Sequence, residues 1–123
     1  MKKTILLATL LGALFTQASA FAASPEDLKA KGEVRIGVFS DKPPFGYVDA
    51  KGISQGFDVE IGRYIAKDLL GDANKAKFVL VEAANRVEFL RSGKVDIILA
   101  NFTVTPERAK VVDFAKPYMK VAL

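Results

Sequence analysis

The chain has 123 residues, with 18 Lys and Arg against 14 Asp and Glu, no His and no Cys. Without those two residue types, Cys/His zinc sites, a Ser-His triad, imidazole acid/base chemistry and disulfide staples are all excluded within this chain. The formal charge of +4 implies little about nucleic acid, because no run of five like charges exists to form a basic footprint, and no nucleic-acid partner is expected.

The first residues read as an export signal. Lys2 and Lys3 precede an apolar run from Ile5 to Phe15, which is too short to span a bilayer as a helix. Ala18-Ser19-Ala20 and Ala20-Phe21-Ala22 both match a small-x-small cleavage site, so residues 1–22 are expected to be a cleaved signal peptide. Loss of Lys2 and Lys3 takes the basic count from 18 to 16 against 14 acids, a mature charge of +2. No Cys follows the apolar run to take a lipid. A free exported protein is expected, with a periplasm as its compartment. Residues 23–123 are enough for a single domain.

Ser24-Pro25-Glu26-Asp27 combines an N-cap, a Pro at the first helical position and an acid at the third, and Gly32 ends the short helix they start. Glu33 to Phe39 alternates as a strand. Asp41 to Phe45 must be a loop, since its two prolines cannot sit in a central strand. Tyr47-Val48 and Ile53 flank a hairpin turn at Asp49 to Gly52. Phe57, Ile61, Tyr64, Ile65 and Leu69 recur at spacings of three and four. They predict one apolar stripe on a helix from Phe57 to Leu70, stopped by Gly71. Phe78 to Val81 is a second strand. Asn85 is placed to cap a short helix through Leu90, closed by Gly93, and Val95 to Ala100 is a third, buried strand. Val112 to Phe114 and Met119 to Leu123 read as extended. The chain stops in this apolar stretch, as an interrupted chain would.

The order β-α-β-α-β-α with short connections predicts an α/β fold, an open and mostly parallel sheet with helices on both faces. Ligands bind such sheets at the carboxyl ends of the strands, near a topological switch point. The turns after Phe39 and Ala100 lie on that edge, and the loop before Arg86 can join it.

The densest signal runs from Ser92 to Tyr118, SGKVDIILANFTVTPERAKVVDFAKPY. After the strand come Asn101, Thr103 and Thr105. Thr105 is a good N-cap and Pro106 a good first helical residue. Arg108 then falls in the first helical turn, where a cation opposes the helix dipole at about 0.3–1 kcal/mol. Two readings stand side by side. Arg108 grips a carboxylate with its bidentate fork beside the helix N–H groups, or it pairs on the surface with Glu107 or Asp113. Arg86, just after Asn85, poses the same choice, with Glu82 or Glu88 as its surface partner. Asp96 and Asp113 read as structural.

Three segments in this order, GVFSDKPPFGY (Gly37 to Tyr47), GFDVEIGRYIAKDL (Gly56 to Leu69) and the Ser92–Tyr118 stretch, resemble the amino-acid-binding solute-binding proteins of ABC uptake transporters, bacterial family 3. The resemblance covers nearly all of residues 23–123. It implies the first lobe of a two-lobe type II periplasmic-binding-protein fold, incomplete at its C-terminus, with an amino-acid ligand, a membrane permease as partner, no cofactor and no metal. The completed protein is expected to be a monomeric, non-catalytic receptor. By the same resemblance Arg108 grips the ligand α-carboxylate, Thr103 donates a hydroxyl and a backbone N–H, and the Asn101 carbonyl faces the ligand ammonium. The Asn85-Arg86 pair resembles the aspartate- and glutamate-binding subset, with Arg86 on a second carboxylate, so an acidic amino acid is the expected ligand. The pattern departs at Lys42, where many members carry an aromatic ring that stacks on the ligand. Phe39 is then left to supply the apolar wall, and Lys42 faces either an acidic ligand side chain or solvent. Two alternatives share the fold: a periplasmic dehydratase, and the sensing module of a membrane receptor.

Overall fold

The computed structural model describes residues 23–121; the expected signal peptide lies outside the described residues. The first helix, α1 (Pro25–Lys31), starts on the capping box its sequence predicts: the Ser24 hydroxyl accepts from the Asp27 N–H at 3.1 Å and the Asp27 carboxylate accepts from the Ser24 N–H at 2.9 Å. Gly32 closes it in the left-handed region at φ 74°, donating to the Leu28 carbonyl.

Strand β1 (Val34–Val38) forms the centre of a parallel sheet. It pairs along its whole length with β5 (Ala76–Leu80), from Val34 opposite Ala76 to Val38 opposite Leu80. On its other side it pairs with β6 (Ile97–Ile98) at Ile36 opposite Ile97 and Gly37 opposite Ile98. The expected third strand, Val95 to Ala100, is therefore shorter as a ladder. Bonds from the Asp96 N–H to the Arg35 carbonyl (2.8 Å) and from the Leu99 N–H to the Gly37 carbonyl (2.9 Å) extend its alignment on β1. The order β5-β1-β6 means that the chain moves from β1 to one neighbour and then crosses to the other. The switch point lies between the ends of β1 and β6, at Phe39 and Ala100.

A second, antiparallel sheet holds β2 (Asp41–Lys42), β3 (Gly46–Val48) and β4 (Ser54–Gln55). Asp41 and Lys42, expected in a loop, instead pair with Tyr47 and Gly46. The two prolines, joined by a cis peptide bond, occupy the turn that follows, so the bar on proline in a strand holds while the strand runs up to it. The hairpin between β3 and β4 is where the sequence puts it. The Asp49 carboxylate organises it, accepting from the N–H groups of Lys51 and Ile53 at 2.8 and 3.0 Å.

Helix α2 (Phe57–Leu70) has the predicted bounds but a different buried face. Its sheet-facing residues are Val59, Gly62 and Ala66, with Ile61, Ile65 and Leu69 half-buried at the side; Phe57 and Tyr64, expected in the stripe, are exposed. Close approach decides this. A Cβ on Gly62 would lie 2.7 Å from the Phe78 ring and 3.0 Å from the Ile36 side chain, so helix and sheet meet across a small residue and the larger side chains are displaced to the rim. The N-terminus of α2 lacks a side-chain cap. The carbonyls of Pro44 and Phe45 accept from the N–H groups of Phe57 and Asp58 instead. A Cβ on Gly56 would run into those same carbonyls.

Alternation along β1 sorts two cores. Val34, Ile36 and Val38 face α1 and α2, together with Leu28, Val59, Ala66, Ala76 and Leu99. Phe39, Val81 and Ala100 pack on the other side, with Phe89 of α3 (Arg86–Arg91) and Ile98. Helices thus cover both faces, as the sequence predicts. After α4 (Pro106–Ala109) the chain to Val121 forms neither helix nor strand. The extended runs expected at Val112–Phe114 and from Met119 are not strands in the described residues, because no strand edge pairs with them. Side chains hold this segment: Phe114 packs edge-on against Phe102 at 5.4 Å, and the Tyr118 hydroxyl donates to the Asp58 carboxylate at 2.8 Å.

Candidate functional site

The carboxyl ends of β1, β5 and β6 converge where Phe39, Val81 and Ala100 close the smaller core. The chain leaves β6 through Asn101, whose φ of 47° is left-handed, a conformation Asn tolerates better than most residues. This bend brings the Thr103 N–H to the Asn101 carbonyl at 3.2 Å and turns the chain toward Thr105. Thr105 caps α4 as predicted: its hydroxyl accepts from the Arg108 N–H at 3.2 Å, and Pro106 occupies the first turn. The cap fixes where Arg108 starts, and its guanidinium reaches back to donate to the Thr103 carbonyl at 2.8 Å.

Arg86 arrives from the other side. The Asn85 side chain accepts from the Glu82 N–H at 2.9 Å, which shapes the turn before α3. Asn85 precedes α3 as expected but does not cap it with its side chain. Arg86 is only 5% exposed. Its Nη1 donates to the Ala100 carbonyl at 2.7 Å, and its Nε is buried without a partner among the described residues. Burial, and next the nearby Arg108 charge, pull its pKa below the usual arginine range. It remains the cation here, since arginine does not deprotonate at neutral pH.

The two guanidiniums share one aromatic ring. Arg86 Cζ lies 4.1 Å from the Phe102 centroid and Arg108 Cζ 4.9 Å from it; Arg86 also lies 5.6 Å from the Phe39 ring. Among the described residues neither arginine makes a salt bridge. The surface partners open to them in the sequence (Glu107, Asp113, Glu82, Glu88) are not engaged. Two cations near one half-buried aromatic ring, without a carboxylate partner among the described residues, carry N–H donors of the kind that pair with an anionic group.

Of the six residues the sequence singles out, the structure gathers Arg86, Arg108 and Phe39 directly and Thr103 through its carbonyl. Asn101 and Thr103 are exposed, and the backbone groups expected to face a ligand bond to each other. Lys42 stands apart. It is exposed, with its ammonium 3.4 Å from Asp41, and lines a shallow cleft of about 240 Å³ with Phe39, Ser40, Asp41, Glu82 and Ala83. Sequence reasoning missed Phe102, the one aromatic residue in the turn from Asn101 to Thr105, and its aromatic character there was its only signal. No group of three or more potential metal-ligating side chains exists among the described residues.

The profile of the bacterial extracellular solute-binding proteins, family 3, matches residues 34–123, and the chain belongs to that family. Among solved structures it is similar to the solute receptor for L-cysteine of Neisseria gonorrhoeae, at 70% identity and a TM-score of 0.77, over 79% of this chain and 39% of that one. Domain 1 of the arginine-binding protein of T. maritima, solved as a single-substitution variant in its arginine-bound form, is 35% identical at a TM-score of 0.72, over 78% of this chain and 72% of that one. Among curated relatives, the glutamine-binding protein of Geobacillus stearothermophilus is 37% identical over 108 residues, 87% of this chain and 41% of that protein. The chain thus spans about two-fifths of the length of the full receptors it matches. Its α/β fold is part of the first lobe of a type II periplasmic-binding protein.

Proposed function

From membership of this family we infer that residues 23–123 are the carboxylate-gripping lobe of an exported amino-acid receptor that delivers its ligand to an ABC permease, with residues 1–22 as the leader. One observation carries the reading: Arg86 and Arg108 both lie against the Phe102 ring, and neither has a salt-bridge partner among the described residues. Buried or half-buried charges are ordinarily paired, and two cations at the strand ends without a carboxylate partner are what an anionic ligand would complete. An amino acid brings the missing carboxylate.

L-cysteine is the best-supported ligand, because the 70% identity extends over 79% of the chain to a receptor for that amino acid. An acidic amino acid is the second reading, favoured by the presence of two arginines at the strand ends with no salt-bridge partner among the described residues, one for each carboxylate. The arginine-bound domain 1 of a relative supports the further point that one lobe can hold an amino acid. A non-catalytic role fits the two aspartates considered in the sequence. Asp96 is bound to Arg35 through 2.8 and 3.4 Å contacts, and Asp113 is exposed.

The test is an NMR titration of the full chain with L-cysteine, L-aspartate, L-glutamate and L-glutamine. A single open lobe, with its ionic contacts partly solvated, should bind with a dissociation constant on the order of millimolar. Saturable shifts at Arg86 and Arg108 are expected with L-cysteine. No shift with any of the four refutes amino-acid recognition by this lobe; shifts with aspartate and glutamate alone select the second reading.

A further inference from the structure

We propose that Phe102 is the positioning residue of this site: its ring, set edge-on against Phe114, holds both guanidiniums at the strand ends and leaves their charge unspent for an incoming anion. The proposal rests on the amino-acid reading for its purpose but not for its geometry.

Two arginines near each other repel, and the effect is felt here, since Arg108 is one of the two causes that lower the pKa of Arg86. A protein carboxylate between them would remove the repulsion. It would also occupy the N–H donors a ligand needs. An aromatic face solves the problem differently: its quadrupole attracts each cation through the ring and accepts none of the in-plane N–H bonds. Phe102 meets both guanidiniums within cation–π range, at 4.1 and 4.9 Å. The ring cannot swing freely, because Phe114 packs against it at 5.4 Å and 60° between planes. The one side-chain bond each guanidinium makes goes to a backbone carbonyl near the ring residue: Ala100, two residues before it, for Arg86 and Thr103, the next residue, for Arg108. Ring and carbonyls therefore act as one cradle built on a single short stretch of chain.

The ring differs from a filler in that its electronics matter as well as its bulk. Replacing Phe102 with singly, doubly and fully fluorinated phenylalanine, in the full chain, weakens the quadrupole while nearly keeping shape. L-cysteine affinity should fall stepwise along the series, by roughly 3- to 30-fold at the fully fluorinated end, with little change in melting temperature. Phe102→Tyr should retain affinity and Phe102→Leu should lose it. The ligand-free readout is the Hε resonances of Arg86 and Arg108, which a ring face displaces and which Phe102→Leu should return toward ordinary arginine values. Unchanged affinity across the fluorinated series overturns the proposal, as do Hε resonances that stay in place in Phe102→Leu. If the native chain binds no amino acid, the functional reading fails, and the Hε resonances alone still decide whether the ring positions the arginines.

Discussion

Arg86→Met separates binding from folding more sharply than any other change in this lobe. Methionine keeps much of the volume and removes the charge. The loss side is definite: one charge-assisted bond to the Ala100 carbonyl at 2.7 Å, worth about 1.5–3 kcal/mol, and contacts with the Phe102 and Phe39 rings worth about 0.5–2 kcal/mol. Three gains oppose it. A guanidinium on a residue only 5% exposed carries a desolvation penalty of several kcal/mol, with no carboxylate to offset it. Its Nε is an orphan donor that costs roughly 1–3 kcal/mol. The Arg108 charge adds repulsion. The gains match or exceed the losses, so the variant should be as stable as the native chain or up to about 2 kcal/mol more stable, roughly an 8–16 °C rise for a lobe of this size. Binding should move the other way. Removing one partner of a hydrogen-bonded ion pair costs about 2–5 kcal/mol, thirty-fold to several-thousand-fold, enough to take a millimolar lobe beyond detection. Thermal and denaturant unfolding, with the same NMR titration, measure both. A variant that melts well below the native chain and still binds amino acid would show that Arg86 is a structural strut, and the site would have to be built without it.

The other expectations are more local. Arg108→Ala should abolish detectable amino-acid binding in the same titration while changing stability by less than about 1 kcal/mol, because the residue is only half-buried and its one side-chain bond is to an exposed carbonyl. Asn101→Gly should keep the bend after β6, whereas Asn101→Val should cost about 1–2 kcal/mol in denaturant unfolding, since φ 47° suits neither Cβ branching nor bulk. Gly62→Val should destabilise by about 1–3 kcal/mol by forcing α2 off Phe78 and Ile36, read from the unfolding midpoint. Asp58 should make stability pH-dependent. Burial raises its pKa above 3.8, against a smaller lowering by the Tyr118 bond. The stability it contributes is therefore present below the unfolded value and is lost as pH rises through the raised folded one. Native minus Asp58→Asn stability should fall as pH climbs from below 3.8 through the raised folded value; a flat difference would place the charged carboxylate at no disadvantage.

Local rules made much of the fold legible. The capping box at Ser24, the Thr105-Pro106 start of α4 and the glycine stops at Gly32 and Gly71 are decided within one turn of chain, and the structure has each where the sequence puts it. What failed was non-local. The face of α2 is set by how closely Gly62 lets the helix approach Phe78, sixteen residues on and in another element, so a stripe drawn by size put Phe57 and Tyr64 on the wrong side. The strand character of Asp41 and Lys42 depends on a partner, Gly46 and Tyr47, across a turn that composition alone reads as loop. Arg86 and Arg108 could be named because each sits where a helix dipole disfavours a cation. That both would rest on Phe102 could not, since their meeting depends on the β1–β6 switch point bringing α3 and α4 to one edge.

The two ends of the central sheet treat buried charge in opposite ways, and the contrast supports the proposed place of the site. At the start of β6, the Asp96 side chain is 5% exposed and fully engaged: the Arg35 N–H donates to it at 2.8 Å, the Arg35 guanidinium lies 3.4 Å away and Lys31 4.0 Å. Those bonds fix β6 against β1, and nothing remains for a ligand. At the far end of the same strand, Arg86 is also buried but has a backbone carbonyl, two aromatic rings and a second cation for company. An uncompensated buried cation costs more than an apolar replacement, so Arg86 is kept at some expense to stability. On the proposed reading an incoming anion completes the second end, and stability given up at such a place is a usual physical mark of a binding site. The strand ends at the switch point are where the topology already puts one.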